Sequence, residues 1–493
     1  MLNKFKRLAK ESVVYGLGGA GARLFNFLLL PIFTRSFSVA NYGAIDIINT
    51  LISLGGILLI SGTDSALSFY FFKYPQHEER KKTITALFVY ILVSNTILAL
   101  LLWLAAEPVA DLILGNIIYA RYLRIASLSI PLSHIMTYNL TILRLRRKPY
   151  TYIAITVPSM ALTMLLNILL VVVLQVGIDG VFITNAIIFG VFSIMGLIIN
   201  RTYYGTAFDP HRFIELFKYW IPLAIGGISA WVRTSMDRTV LNQFFTLEQV
   251  GIYSAGLRMA SMVSFFVQAY RIANLPFLFE SSQDEDAPKV YSHSLSYYLI
   301  IASLLTVGVS VLSRPILPIL TTEKYIAAVS VIPFLTYAVV AEGASQIFSI
   351  GLFLKKKTLQ SGIISASSSL ISLVLLFTLT PLWGMLGTSF AVLLGYLVFD
   401  YLLWFWSQKN YPIEYDWKRV MRLLIYSALI IGIGMMVSTE NFLLAITIGA
   451  GLVAAYIVLL IFGSGVTVTE KNIIIKEIQS LLTRLRTLRN AKA

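Results

Sequence analysis

Arg23, Arg233, Arg258 and Arg271 are among the arginines that lie inside long apolar runs of this chain. A guanidinium keeps its charge and presents a planar fork of donors suited to phosphate oxygens. In an apolar run such a group is costly unless it faces protein or water. Hydroxyl and amide residues run beside these cations at helical spacing. Ser12, Gly16, Gly19, Arg23 and Asn26 share one face, and Gly226, Ser229, Arg233 and Asp237 share another. Thr156, Ser159, Thr163 and Asn167 form a third stripe, and Ser361, Ser365, Ser368 and Ser372 a fourth. With few acids nearby, the space they line is cationic and rich in hydroxyls. An anionic ligand carrying sugar-like hydroxyls fits it. The expected binding residues are Arg23, Arg233, Arg258, Arg271, Asn26 and Asn167. The chemistry is recognition without bond making. There is no phosphate loop, no HExxH and no serine nucleophile elbow. His77, His134, His211 and His293 lack metal-ligand spacing, and the absence of cysteine excludes thiol chemistry. No cofactor, metal or enzymatic activity is expected.

Several charges admit two readings. Small-residue and serine stripes also let helices pack closely. Arg233 and Asp237, four residues apart, either neutralise each other or act separately. Asp64 is either a coupling carboxylate or the partner of Arg271 in an ion pair joining two halves of the molecule. His134 and Glu342 have no evident partner and are candidates for proton coupling. Asp46 and Asp400 are expected near membrane surfaces, in solvent.

The elements that position these residues are transmembrane helices. The chain is 57% hydrophobic and 13% charged, with mean hydropathy +0.78. A soluble domain carries about 25% charged residues. Windows of about 20 residues place about fourteen spans: 12–33, 44–72, 83–104, 121–142, 150–174, 179–199, 218–241, 250–279, 291–312, 327–353, 359–379, 383–406, 421–437 and 441–462. The first is read as a retained helix, because it is too long for a signal peptide and ends in no cleavage site. With both termini cytoplasmic, inner segments hold 28 of the 39 lysines and arginines and outer loops three. That is a strong positive-inside bias, against which only the acidic inner loop 281–288 stands. The net charge of +15 therefore reflects orientation and not nucleic-acid binding. The tail Glu470–Arg489 reads as an amphipathic helix lying on the anionic inner leaflet.

The first six spans recur. At an offset of 208, Gly18-Gly19 falls on Gly226-Gly227, Phe37 on Phe245 and Gly43 on Gly251. At 209, Leu145–Lys148 falls on Leu354–Lys357, and at 207 Gly180 falls on Gly387. An even number of spans per repeat makes the two copies parallel, related by an axis along the membrane normal. The expected architecture is an all-α polytopic membrane protein: a lobe at 1–210, a second at 211–408, two further helices at 409–465 and the tail at 466–493. Substrate belongs between the lobes.

The stretch Tyr15-Gly-Leu-Gly-Gly, Leu30-Pro-Ile-Phe-Thr-Arg35, Asn41-Tyr-Gly43 and Gly62-Thr-Asp-Ser-Ala-Leu67 resembles the opening of the polysaccharide flippases. These are the Wzx-type O-antigen and teichuronic-acid exporters of the MOP superfamily, which also holds the lipid II flippases and the multidrug (MATE) exporters. The resemblance implies alternating access between two lobes. It implies as substrate a saccharide on an undecaprenyl-type pyrophosphate, flipped across the bacterial cytoplasmic membrane for surface polysaccharide such as lipopolysaccharide. Carried over by position, it assigns pyrophosphate and sugar contacts to Arg23, Arg233, Arg258 and Arg271, and a groove for the lipid tail to the last two spans. A monomer, with a polysaccharide polymerase as downstream partner, fits the same picture.

Two rivals predict different sequences. An ion-coupled drug exporter calls for an acid-rich cavity and usually twelve spans. A membrane glycosyltransferase or polymerase calls for a large outer loop with paired carboxylates, and Glu107 and Asp111 are weak candidates. A purely structural or receptor role leaves the buried arginines unexplained.

Overall fold

The computed structural model describes residues 27–463 except 438 and 440. Arg23, Asn26 and the expected tail helix lie outside the described residues. Described secondary structure is entirely helical. The helices are α1 (Phe27–Ser36), α2 (Val39–Ile60), α3 (Thr63–Lys73), α4 (His77–Leu104), α5 (Ala106–Leu114), α6 (Ala120–Ser127), α7 (Ser129–Leu145), α8 (Pro149–Asn167), α9 (Ile178–Asn200), α10 (Pro210–Phe244), α11 (Leu247–Glu280), α12 (Ala287–Leu320), α13 (Ile332–Phe348), α14 (Ile350–Leu354), α15 (Thr358–Asn410), α16 (Trp417–Met436) and α17 (Phe442–Phe462). Their starts are chemically marked. Ser38, Asp209, Asp416 and Asn441 each accept a hydrogen bond from a backbone N–H of the first turn, and Pro210 opens α10.

Eleven described helices are long and apolar enough to cross a membrane. They cover all the expected spans but two, because α15 carries two spans in one 53-residue helix bent at Gly384. The first expected span lies mostly before residue 27. The fourth is split at Leu128 into α6 and α7, both shorter than a bilayer crossing. The second is also broken, at Gly62. This glycine takes φ +85°, and a Cβ there would press on the Trp220 carbonyl of α10, so only glycine suits both the turn and the contact.

The repeat is visible in the backbone. Arg147 and Lys356, 209 residues apart, both sit in the left-handed region at φ 54° and 56°. In each copy the next N–H donates to a carbonyl five residues back, Lys148 to Leu143 and Lys357 to Leu352, closing the same helix-ending turn. Gln175 and Gly384, again 209 apart, share φ 52° and 58°.

The halves meet at both ends. One apolar core joins α1, α2, α5, α6 and α9 to α10–α13. There Gly43 and Gly251 face each other's helices: a Cβ on Gly43 would collide with the Leu247 carbonyl, and one on Gly251 with the Val39 carbonyl. Val39 and Leu247 are themselves 208 apart, so the contact is reciprocal, as a two-fold axis requires. At the other end Leu216 and Trp220 of α10 enter a core made by α3, α4 and α7. α16 and α17 pack on α12 and expose Leu429, Met436, Leu443 and Phe462, as suits a lipid-facing surface.

Candidate functional site

α10 places Ser229, Arg233 and Asp237 on one face, all buried. Ser369 on α15 donates to the Ser229 carbonyl at 2.7 Å and locks the two helices in register. Arg233, 8% exposed, reaches into that seam. Its Nη1 donates to Ser369 Oγ at 2.6 Å, the Ser365 carbonyl at 2.8 Å and Ser368 Oγ at 3.1 Å. Nη2 donates to Ser365 Oγ at 3.2 Å, and the guanidinium lies over the Phe399 ring at 4.1 Å. The serine stripe is thus a cradle for a cation. Among the described residues no carboxylate comes within ion-pair distance of Arg233. Neutral hydroxyls orient a buried charge without cancelling it, and an uncompensated buried charge is expensive. An anion arriving from outside removes that cost.

Arg233 lines a cavity of about 400 Å³ with Arg271, Glu342, Ser361, Tyr396 and Phe399. Arg271 on α11 meets Glu342 on α13 at 3.3 Å, both about one-third exposed. Both side chains are therefore within reach of water. Asp400, one turn beyond Tyr396, is 6% exposed, and its Oδ1 has no hydrogen-bond partner. It was expected in solvent. Position along a span does not reveal which face of the helix is covered.

Other expectations are corrected. Asp237 does not pair with Arg233. It accepts from the Tyr253 hydroxyl at 2.6 Å and lies 3.3 Å from Arg238 Nε. Four-residue spacing brings side chains near, but here one turns toward α15 and the other toward α11. Asp64 does not bridge the halves to Arg271. Its carboxylate takes Arg144 at 3.3 Å and Thr141 at 3.3 Å, within the first half, while Arg271 holds Glu342. His134 has a partner, with Nδ1 2.6 Å from Asn95 Oδ1. Asp46, also expected in solvent, is 9% exposed and accepts from Ser254 at 2.8 Å. Arg238 joins it at 3.4 Å. Asp46 and Ser254 are 208 residues apart, so equivalent positions touch across the seam. That offset was the available signal for this missed network of Asp46, Asp237, Arg238, Tyr253 and Ser254.

The remaining candidates fall elsewhere. Arg258 stands 5.8 Å from the Tyr42 ring at the seam between halves and does not line the cavity. Asn167 is buried at the end of α8, donating to the Thr163 carbonyl at 2.8 Å. The structure therefore brings together Arg233, Arg271 and Glu342.

Spans of this number and order, with charges turned inward, define a multi-pass helical membrane protein. Residues 32–330 match the model of the polysaccharide biosynthesis proteins, and the chain belongs to that family. It is similar to the succinoglycan biosynthesis transport protein ExoT of Rhizobium meliloti, 28% identical over 48% of this chain and 46% of that protein. The curated relatives are matched over 46–67% of their own length. Among solved structures, the lipid II flippase MurJ in an inward closed conformation superposes with TM-score 0.71 at 16% identity, covering 91% of this chain and 98% of that one. An inward-facing multidrug MATE transporter of the MOP superfamily superposes with TM-score 0.67 at 13% identity, covering 79% and 94%. The fold is that of these two structures.

Proposed function

We propose that this protein is a flippase. It carries an oligosaccharide on an undecaprenyl-type pyrophosphate from the inner to the outer leaflet of the bacterial cytoplasmic membrane, for surface polysaccharide assembly. The observation that carries this reading is Arg233, a buried cation oriented by serines, facing a cavity, with no carboxylate beside it among the described residues. Arg271 supplies a second cation once Glu342 lets go. Guanidinium forks suit a pyrophosphate, and Ser361 and Tyr396 suit saccharide hydroxyls. A headgroup in such a wet cavity avoids crossing about 30 Å of hydrocarbon, while the isoprenoid stays in lipid. Residues 1–210 and 211–408 act as the two lobes, both termini face the cytoplasm, and the hairpin at 409–465 flanks the lipid chain. The name of the R. meliloti relative, a succinoglycan transport protein, supports a polysaccharide precursor over a drug. The unpartnered carboxylate oxygen of Asp400 and the partly exposed Glu342 favour coupling to a proton or cation gradient over passive flow.

Arg233→Ala and Arg271→Ala, expressed in a host lacking the parental gene, should accumulate in the membrane as the parent does and fail to restore surface polymer. Restoration of normal polymer by Arg233→Ala would remove the cavity from the account.

A further inference from the structure

The two left-handed basic residues, Arg147 and Lys356, carry information that the cavity alone does not. Both occupy the helix-ending position that glycine usually fills, because a Cβ is disfavoured there. At the other left-handed pair of the repeat, Gln175 and Gly384, one copy uses glycine. At this pair neither does, and both are cations. Membrane orientation does not demand it, since positive-inside bias counts charges in a loop and does not fix their position. A glycine with a lysine beside it would serve orientation without the strain.

Arg147 and Lys148 are exposed like their counterparts Lys356 and Lys357, and the turns differ at the other cations. In the first half, Arg144 is held by Asp64, and Arg146 by Asn200 at 2.6 Å and the Tyr203 ring at 4.3 Å. In the second half, Lys355, Lys356 and Lys357 are all exposed, and no side-chain hydrogen bond or ion pair engages them among the described residues. Their turn joins Phe353 to Ser361, and both of those residues line the cavity that holds Arg271 and Arg233. The three lysines do not line the cavity themselves, but their turn lies in the chain between two residues that do.

We propose that the Lys355–Lys357 turn is an entry subsite for a pyrophosphate headgroup, which it captures at the membrane surface and passes inward to Arg271 and Arg233. This deepens the flippase reading and rests on its cationic cavity.

The repeat supplies an internal control. Binding of inorganic pyrophosphate to the full-length protein in detergent is measured for the parent and for Lys356→Gly, Lys356→Arg, Arg147→Gly and Arg233→Gln. Removing one charge from the lysine turn is expected to weaken binding about 3–10-fold. Lys356→Arg should stay within about twofold of the parent, and so should Arg147→Gly, which loses the same charge beside no such cavity. Both glycine variants should melt at or above the parent temperature, because the backbone strain is relieved. Parental affinity in Lys356→Gly, or an equal loss in Arg147→Gly, would overturn the subsite. If Arg233→Gln weakens binding while Lys356→Gly does not, the entry subsite falls and the cavity reading stands. If the parent binds no pyrophosphate, both fall. A parallel arm uses phosphatidylcholine nanodiscs containing phosphatidylglycerol. If Lys356→Gly lowers retention of phosphatidylglycerol and leaves pyrophosphate binding intact, the turn serves bulk bilayer lipid, which also overturns the proposal.

Discussion

Arg233 is the residue on which the account turns, and its surroundings make definite demands. A charge-assisted hydrogen bond is worth about 1.5–3 kcal/mol, so Arg233→Ala should weaken pyrophosphate binding roughly 10–100-fold. Arg233→Lys should recover only part, because a point charge replaces a fork that serves three serines and the Phe399 ring. Glu342 should act in the opposite sense. It occupies Arg271 at 3.3 Å, so Glu342→Gln should tighten equilibrium anion binding by about 2–5-fold, the scale of a partly exposed ion pair. Isothermal titration with pyrophosphate checks both, and weaker binding in Glu342→Gln would contradict the pairing argument. At this scale the sequence was legible where a lone cation interrupted an apolar run, and where Ser365 and Ser368 fell on one face. Ser369 and Phe399 were not legible as partners, because which helices become neighbours is a tertiary fact. The pairings of Asp237 with Arg233 and of Asp64 with Arg271, one of two readings for each, fail for the same reason. Helical spacing and a repeat offset bound proximity and leave side-chain direction open.

Among the elements, α2 and α11 make the closest approach between halves. Gly43 and Gly251 let the backbones touch, and beside them Asp46, Ser254, Arg238 and Asp237 form a buried polar network. Breaking one partner of such a network costs about 3–5 kcal/mol. The opposite junction holds the exposed Lys73–Glu215 pair at 2.8 Å and the buried Arg212, which pairs with Glu79 of α4 and with Glu215. The Gly43 end closes on backbone contact through its two glycines. Gly251→Val should force it open. The chain has no cysteine, so a thiol introduced as Val250→Cys reports the change directly. It should resist a water-soluble maleimide in the parent background and react at least about tenfold faster beside Gly251→Val. Equal protection in both would mean that the glycines do not set the closure. The offset of 208 exposed this symmetry in the sequence. The break at Leu128 and the merged helix α15 left no such trace, since hydropathy windows record apolar length and not backbone continuity.

At the scale of the whole molecule, composition alone determined the class, because a chain this apolar has no soluble solution that satisfies its surface. The order of the spans was legible too, since the described helices cover all but two of those expected, and the 209-residue offset reappears in paired backbone turns. What the molecule carries was legible only as chemistry: cations and hydroxyls around a space, hence an anion with hydroxyls. The most direct test is reconstitution in proteoliposomes. A fluorescent saccharide on an isoprenoid pyrophosphate is placed in one leaflet, and its arrival in the other is followed by quenching. The parent should move it faster than protein-free vesicles, and Arg233→Ala should fall to about one-tenth of the parental rate or less. Transport by Arg233→Ala at the parental rate, or by neither protein above the empty-vesicle rate, would contradict the account.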